Sequence, residues 1–273
     1  MLDNRSASPE PTSLNPNRRL AIDRIDYILQ RLEASGSVRV ANLSATLCVS
    51  RETIRRDLKT LAEQGRANLV HGGAARPSVA EPTLASREAA NALGKAAIGA
   101  AAARLVADGM VVLIDSGSTT LALAAALQHH RDLTVISNSL PIALMLCRAP
   151  GVKVVALGGD IDPNDEAAFG VETMTALSHF RVDLVFLGVG GISPDGELTD
   201  YSRLAAEQRH LMMKAGKKVY VLADHSKFEH DTPVRIAPVA HIAGLIVDAE
   251  PPAGIVRACA DQGREIIVAS RQS

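Results

Sequence analysis

Residues 50–65 read SRETIRRDLKTLAEQG, and this stretch predicts an amphipathic helix. Ser50 is a favourable N-cap, and Ile54, Leu58 and Leu61 fall on one face at the 3.6-residue period. The opposite face and its edges carry mostly basic and hydroxyl-bearing side chains: Arg51, Glu52, Thr53, Arg55, Arg56 and Lys59. Such a face can enter the major groove of DNA. The same pattern also describes a solvated helix whose charges are balanced by Glu52, Asp57 and Glu63.

The sequence on either side predicts that this helix belongs to a small helical module with a β-hairpin. Apolar spacing predicts one helix from Arg18 to the stop at Gly36 and another over 41–47, with a short β-like segment between them. After the basic helix, residues 66–77 (RANLVHGGAARP) predict two short strands around a glycine-rich turn. Arg66 and His71 in this hairpin can approach a nucleic-acid backbone.

Composition and charge support two domains with different partners. The chain has 273 residues, 47% hydrophobic and 22% charged, which is typical of a globular protein of about two domains. Residues 1–76 carry twelve Lys and Arg against eight Asp and Glu, whereas residues 77–273 carry seventeen against twenty-two. The N-terminal part is therefore expected to meet a polyanion. Only 3% of residues are aromatic and none is Trp, which disfavours base-stacking surfaces.

Several classes of function are disfavoured. Cys48, Cys147 and Cys259 lack the paired spacing of a zinc or redox site, and no metal site or cofactor is expected. The N-terminal residues lack the apolar stretch of a secretory signal, and no apolar run reaches membrane-spanning length. We expect a cytoplasmic protein without a membrane partner.

Beyond Gly109 the pattern changes to apolar strands that alternate with helices. Seven strands are expected at 110–114, 133–137, 152–157, 182–188, 217–224, 242–248 and 265–269. Continuous apolar strands separated by helices predict an α/β fold, Rossmann-like, with a mostly parallel sheet covered on both faces. The predicted organisation is a disordered leader at 1–17, the helical module at 18–76, a linker and entering helix at 77–92, and the α/β domain at 93–273.

A polar loop follows the first of these strands. Asp115, Ser116, Gly117, Ser118, Thr119 and Thr120 stand where a strand ends and a helix begins. Backbone N–H groups, hydroxyls and the helix dipole converge on an anion at such a turn. The loop lacks the Gly-Lys-Ser/Thr of a Walker motif and the spacing of a dinucleotide fingerprint, which disfavours ATP and NAD. A well-capped turn without a ligand remains the alternative.

Other polar residues follow the neighbouring strands, and the carboxyl ends of parallel strands meet at one edge of a sheet. The candidates at these ends are Ser137, Asn138, Gly158, Gly159, Gly188, Gly190, Asp224 and Lys227. Lys227 can supply a positive charge to a phosphate, as can Lys95 from the entering helix. Because Asp115 would repel a phosphate, it is assigned to sugar hydroxyls or to holding the loop.

The motif SRETIRRDLKTLAEQG followed by LVHGGA resembles the winged helix-turn-helix signature of the DeoR family of bacterial transcriptional regulators. The resemblance continues in IDSGSTT (114–120), ISNS (136–139), LGGD (157–160), FLGVGGI (186–192) and VLADHSKF (221–228). Leu69 and Arg209 depart from the family pattern, which has a basic residue before the hairpin turn and a lysine in the later helix.

The resemblance implies a repressor of sugar or polyol catabolism that binds operator DNA as a homodimer or homotetramer. A phosphorylated sugar would act as the inducer, and Gly170 would lie at the rim of its pocket. The second domain of the family looks like sugar-phosphate isomerases and CoA transferases, so an enzyme is the rival hypothesis. The acidic loop of those enzymes is replaced here by residues 188–192 (GVGGI), and Asp200 or Glu207 would have to serve as the base. We therefore expect no catalytic residues. We also expect a hinge between the two domains around residues 77–88.

Overall fold

The computed structural model describes residues 16–35, 37–63, 66–70, 72–75, 81–230 and 232–269. The chain divides into two compact units, Met1–Ala80 and Glu81–Ser273, called here the N-terminal and C-terminal units. The division falls within the predicted linker. Residues 1–15 of the predicted leader lie outside the described residues, whereas Pro16 and Asn17 already belong to the first helix.

The N-terminal unit is a three-helix module with a small antiparallel sheet. Its elements are α1 (Pro16–Ser35), β1 (Ser37–Arg39), α2 (Val40–Leu47), α3 (Arg51–Glu63), β2 (Asn68–Val70) and β3 (Gly73–Ala75). The sheet order is β1-β3-β2, so the predicted hairpin is completed by a third strand from the segment before α2. A Cβ on Gly73 would lie 2.0 Å from the Val38 carbonyl oxygen, which explains why glycine allows β1 and β3 to pair here.

The core of this unit is built from the apolar faces that the sequence pattern indicated. Ile28 and Leu32 of α1 pack with Ile54, Leu58 and Leu61 of α3, and all are at most 1% exposed. Between α2 and α3 the chain turns sharply, because Cys48 adopts a left-handed conformation with φ of 52°. This turn is the predicted break between two helices.

The C-terminal unit contains all seven predicted strands in one parallel sheet. These are β4 (Val111–Ile114), β5 (Leu133–Ser137), β6 (Val152–Ala156), β9 (Val182–Leu187), β12 (Gly216–Ala223), β14 (Gly244–Val247) and β15 (Glu265–Val268). The order across the sheet is β15-β14-β12-β9-β4-β5-β6. The fold class predicted from the sequence is confirmed.

Helices cover both faces of this sheet. The helices are α4 (Leu84–Ala89), α5 (Ala92–Ala103), α6 (Ser118–Ala126), α7 (Leu140–Leu146), α8 (Val171–Leu177), α9 (Arg203–Ala215) and α10 (Ala253–Asp261). Ile98, Leu123 and Ile142 of α5, α6 and α7 share one buried cluster, and Leu177 and Met212 of α8 and α9 belong to another. Alternate residues of the central strands belong to the two clusters, as a strand buried on both faces requires.

Five short strands were not expected from the sequence. They are β7 (Asp160–Asp162), β8 (Ala167–Phe169), β10 (Gly191–Ile192), β11 (Glu197–Asp200) and β13 (Val234–Pro238). β7 pairs with β8, and the other three form a separate antiparallel sheet in the order β10-β11-β13. The central strand of this sheet, β11, ends at Asp200, three residues before α9 begins at Arg203.

The sequence predicted one helix entering the C-terminal unit, but the structure has two helices there. The sequence suggested one helix from about Ser86, but α4 ends at Ala89 and α5 begins at Ala92. Asn91, with φ of 53°, breaks the helical path, and its side chain donates to Asp248 Oδ2 over 2.7 Å. α4 therefore lies on the body of the C-terminal unit as a separate element, in contact with α6.

Candidate functional site

The exposed face of α3 is basic. The N–H of Thr53 donates to Ser50 Oγ over 3.1 Å, so Ser50 caps the helix as predicted. The side chain of Thr53 is half-buried, and the other predicted residues of this face are exposed: Ser50, Arg51, Glu52, Arg55, Arg56 and Lys59. Arg55 lies 3.4 Å from Glu52, and both side chains are more than 60% exposed.

One acidic residue of α3 does not offset the positive charge of this exposed face. Asp57 points inward and accepts from Arg24 of α1, over 2.6 Å from Nε and 3.0 Å from Nη2. The solvated-helix alternative counted Asp57 among the balancing charges, together with Glu52 and Glu63. The side chain of Glu63 lies outside the described residues. The pairing of Asp57 with Arg24 leaves the basic character of the exposed face largely intact.

The predicted hairpin segment has one exposed basic residue among its described side chains. Arg66 is exposed in the segment between α3 and β2, and Leu69 is 56% exposed on β2. His71, the second predicted contact of the hairpin, lies outside the described residues. The structure thus presents α3 and Arg66 as a candidate surface for a polyanion.

A second candidate site lies where the order of the parallel strands reverses. The chain runs outward from β4 through β5 to β6, then returns to place β9 on the other side of β4. In open parallel sheets, ligands bind in the crevice at the carboxyl ends of two such strands. Here those ends are followed by Asp115 and Gly188, and the N–H of Gly188 donates to Asp115 Oδ2 over 3.2 Å.

The loop from Asp115 to Thr120 takes its shape from this junction. Gly117 has φ of 142°, a conformation that favours glycine, and precedes the first turn of α6. Thr120 Oγ1 donates to the Gly117 carbonyl over 2.9 Å, so this hydroxyl serves the loop itself. The hydroxyl of Ser116 is buried and has no hydrogen-bond partner among the described residues. A buried hydroxyl without a partner is unfavourable and points to a polar group that the loop can receive.

Arg209 ties this loop to the second sheet. Its Nε donates to Asp115 Oδ2 over 2.6 Å, and its Nη1 pairs with Asp200 Oδ2. All three side chains are at most 6% exposed. Burial raises the pKa of Asp115, and the positive charge of Arg209 opposes that shift. The contacts support the assignment of Asp115 to holding the loop rather than to contacting a sugar.

Three cationic side chains surround a small cavity at this junction. Arg87, Arg209 and Lys227 line it together with Glu81 and six other residues, three of which carry hydroxyls: Ser116, Ser118, Thr119, Gly188, Val189 and Leu222. Burial lowers the pKa of Lys227, and the carboxylates of Glu81 and Asp224 oppose that change. The cavity volume is about 20 Å³, which is space for a single water molecule.

Several predicted residues support the cavity from outside. Asn138 is buried, accepts from the N–H of Ser116 over 3.1 Å and donates to the Ala168 carbonyl. Ser137 Oγ accepts from the N–H of Ser139 over 3.1 Å. These contacts fix the turn after β5 against the loop after β4, so both residues act on the neighbouring backbone.

Lys95 and Asp224 form a second supporting contact. Lys95 Nζ donates to the carbonyls of Arg87 and Ala90, at 2.7 Å from the latter, and lies 3.6 Å from Asp224 Oδ2. Asp224 also accepts from the N–H of Ser226. Lys95 was predicted to contact a phosphate, but neither it nor Asp224 lines the cavity. Its contacts instead hold the end of α4.

Four predicted glycines shape the backbone outside the cavity lining. Gly158 accepts from Thr173 Oγ1, and a Cβ on Gly159 would lie 2.4 Å from the Phe169 carbonyl oxygen. Gly170 has φ of 112° before α8, and Gly190 donates to the Thr199 carbonyl. None of these four lines the cavity. The structure therefore brings together the loops after β4, β9 and β12, whereas the loop after β6 lies apart.

The main cavity residues missed by the sequence analysis are Glu81 and Arg87. Arg87 pairs with both Glu81 and Asp165, and each of these side chains is at most 15% exposed. Glu81 and Arg87 flank the start of α4 and are six positions apart, but Asp165 is 78 residues from Arg87 in the chain. No local pattern signals such a pair. Arg209 had been singled out only as a departure from a family pattern.

The two residues considered as an enzymatic base occupy unsuitable positions. Asp200 is buried, paired with Arg209, and accepts from the N–H of Ser202 over 3.0 Å. Glu207 is exposed on α9 and does not line the cavity. Within the described part of the chain, no group of three or more His, Cys, Asp or Glu side chains could hold a metal ion. No described helix is long and apolar enough to span a membrane.

Comparison with known families agrees with this division of the chain. Residues 24–79 match the DeoR-like helix-turn-helix domain, and residues 90–249 match the DeoR C terminal sensor domain. The chain belongs to the DeoR family. This DeoR-family protein is 32% identical over 246 residues to the HTH-type transcriptional repressor CsqR of Escherichia coli K12, covering 90% of this chain and 94% of that protein.

Two further similarities were found, one to a curated sequence and one to a solved structure. This DeoR-family protein is 33% identical over 246 residues to the glycerol-3-phosphate regulon repressor of Haemophilus influenzae, covering 90% of this chain and 96% of that protein. Among solved structures, ribose 5-phosphate isomerase from Plasmodium falciparum matches with a TM-score of 0.36 and 17% identity, over 50% of this chain and 52% of that one. The predicted family membership is confirmed.

Proposed function

We propose that this DeoR-family protein represses a sugar or polyol catabolic operon and is released from its operator by a phosphorylated sugar intermediate. The observation that carries the proposal is the junction of β4 and β9, where a buried Ser116 hydroxyl without a partner faces a cavity lined by cations. The names of the relatives support this class of function, since one of them is a glycerol-3-phosphate regulon repressor.

The N-terminal unit supplies the DNA-binding part of this function. The basic face of α3 is proposed to enter the major groove, where guanidinium groups bind guanine edges or phosphates. Arg66 and His71 are assigned to the flanking backbone. The protein is proposed to act in the cytoplasm as a homodimer or homotetramer. Such an oligomer would present two of these helices to the half-sites of a palindromic operator.

The C-terminal unit supplies the effector site. Lys227, the hydroxyls of Ser116, Ser118 and Thr119, and the backbone at Gly188 are proposed to receive the phosphate group. A phosphate accepts several hydrogen bonds at once and neutralises nearby cations, so it suits a cavity with this lining. Thr120, Ser137, Asn138 and Asp115 are assigned to shaping the loops, and Lys95 and Asp224 to holding α4.

We propose that this site binds its ligand without turning it over. Proton abstraction from a sugar phosphate needs a carboxylate free to reach the substrate carbon. The Asp200 carboxylate is instead paired with Arg209, and the Glu81 carboxylate in the cavity lining is paired with Arg87. A sensitive isomerisation assay on the effector is expected to show no turnover, and turnover abolished by Asp200→Asn would contradict the proposal.

The function is tested by fluorescence anisotropy of the full-length protein on DNA from upstream of its own gene. Phosphorylated sugars and polyols are added in turn, each beside its unphosphorylated parent. We expect salt-sensitive binding that one phosphorylated compound reverses and its parent does not. Binding that no phosphorylated compound reverses would contradict the proposed effector class.

The double variant Ser118→Ala with Thr119→Ala is expected to bind the same DNA but to ignore the effector, because two hydroxyls of the cavity are lost. The loss is expected to shift the effector concentration needed for release by about tenfold or more. The matched control is Thr175→Ala with Ser178→Ala, which removes two exposed hydroxyls on and beside α8. If the cavity variant responds to the effector like this control, the assignment of the loop is wrong.

Ser116→Ala is expected to weaken effector binding without lowering stability. Removal of a buried hydroxyl that has no partner leaves the unfolding free energy unchanged or raises it by up to about 1 kcal/mol. Thermal unfolding and calorimetric effector titration of the same preparation separate the two effects. A fall in stability with unchanged effector affinity would show that the hydroxyl has a structural partner.

A further inference from the structure

We propose that the Glu81 carboxylate occupies the anion position of the effector cavity, and that a bound phosphate displaces Glu81 and releases α4. This inference rests on the proposed function and adds to it a residue that sets effector affinity and connects the cavity to the DNA-binding unit.

Among the described residues, the lining of the cavity contains one carboxylate, that of Glu81. Asp115 and Asp200 are held by Arg209 outside the lining, whereas Glu81 pairs with Arg87 and acts electrostatically on Lys227. The Glu81 side chain is 15% exposed, so it stands inside the protein rather than in solvent. Glu81 thus supplies to Lys227 the negative charge that a phosphate would otherwise supply.

The size of the cavity requires that something move before a ligand enters. Its volume of about 20 Å³ is far smaller than a phosphate group attached to a sugar. The loops after β4 and β9 are fixed to strands of the parallel sheet and to buried Arg209. Glu81 and Arg87 instead belong to a short peripheral segment, so displacement of that segment is the simplest way to open the cavity.

A defined set of contacts opposes this displacement. The segment is held by the pair of Arg87 with Asp165 and by Lys95 Nζ, which donates to the Arg87 and Ala90 carbonyls. Asn164 forms one side-chain and one backbone hydrogen bond with the segment, and Leu84 is buried. Burial also raises the pKa of Glu81 to about 7, while Arg87 opposes the shift. The charged carboxylate is therefore unfavourable inside the cavity and regains hydration when it leaves.

The displacement has a direct route to the other unit along the chain. Glu81 directly follows residues 76–80, through which the sequence joins the N-terminal unit to the C-terminal unit. When Glu81 and α4 leave the cavity, the point at which the DNA-binding unit is attached changes. An effector that binds better to the displaced arrangement shifts the population towards it and alters DNA binding.

The test uses inorganic phosphate as the probe and the full-length protein. Glu81→Gln removes the competing charge while keeping the size of the side chain, and Glu88→Gln makes the same change at an exposed position of α4. Glu81→Gln is expected to bind phosphate about tenfold more tightly than the wild type, with Glu88→Gln unchanged. It is also expected to bind DNA more weakly without phosphate.

The outcomes separate this inference from the proposed function. Equal phosphate affinity in the wild type and Glu81→Gln, with binding lost in the Ser118→Ala, Thr119→Ala variant, would overturn the role of Glu81 and leave the cavity assigned. Absence of phosphate binding in every variant would overturn both proposals.

A second measurement does not depend on a variant. Hydrogen exchange of the peptide that contains Leu84–Ala89 is expected to become faster when phosphate is added to the wild-type protein, because α4 is released. Slower exchange in this peptide, with phosphate bound, would overturn the displacement.

Discussion

Arg209→Met is expected to destabilise the C-terminal unit by about 3–5 kcal/mol, the usual effect of leaving buried charges without their partner. Arg209 is the cation shared by Asp115 and Asp200, and the side chains of all three are at most 6% exposed. Methionine fills a similar volume but leaves two buried carboxylates close together. The loop after β4 is then expected to lose its fixed position together with the fold stability.

The pH dependence of this effect has a defined sign. Burial already raises the pKa of Asp115, and loss of Arg209 removes the charge that opposes the shift. A carboxyl group with a raised pKa binds more protons in the folded state, so its folded state loses stability as pH rises. The difference in unfolding free energy between Arg209→Met and the wild type is therefore expected to be larger at pH 8 than at pH 5.

Chemical unfolding of the full-length protein at both pH values measures these effects. Arg203→Met is the matched control because Arg203 is exposed at the start of the same helix, α9. Arg209→Lys, the residue expected from the family pattern, retains one charge and is expected to fall between the wild type and Arg209→Met. If Arg209→Met unfolds at the same midpoint denaturant concentration as the wild type, the contacts of Arg209 with Asp115 and Asp200 do not stabilise the unit.

Arg56→Ala is expected to lower operator affinity by about 5–150-fold while leaving effector affinity unchanged. Arg56 lies on the exposed face of α3, opposite the buried residues Ile54, Leu58 and Leu61. A guanidinium that contacts a base edge is expected to relax sequence preference when removed. One that contacts a phosphate lowers affinity for all sequences and reduces the slope of the salt dependence.

Anisotropy titrations at several salt concentrations distinguish these roles. The control is Arg31→Ala, which removes the same charge from an exposed position of α1 in the same unit. If Arg56→Ala and Arg31→Ala bind operator DNA equally well, α3 is not the reading helix.

The fold was predictable because its signals are local. Each strand of the parallel sheet is a short apolar run between helical segments, and β9 (VDLVFL) is almost wholly buried as such a run requires. The polar loop at Asp115 was predictable for the same reason, because it directly follows β4. The short strands β7, β8, β10, β11 and β13 lack this pattern, and their pairing depends on the surrounding structure.

The composition of the cavity was only partly predictable because its charges meet across long separations in sequence. Arg209 pairs with Asp115 over 94 residues, and Arg87 with Asp165 over 78. Sequence position indicated that Lys95 contacts a phosphate, but its Nζ instead donates to the Arg87 and Ala90 carbonyls at the end of α4. Side-chain partners of this kind follow from tertiary packing, which no local period reports.

The central claim is that effector binding in the C-terminal unit and DNA binding in the N-terminal unit oppose one another. Thermodynamic linkage requires that each ligand weaken the other by the same factor, typically about 5–150-fold. The most direct measurement is calorimetric titration of the releasing effector into the full-length protein, free and saturated with operator DNA. The account predicts that operator DNA weakens effector binding by the factor by which the effector weakens DNA binding. Equal effector affinity with and without DNA would contradict it.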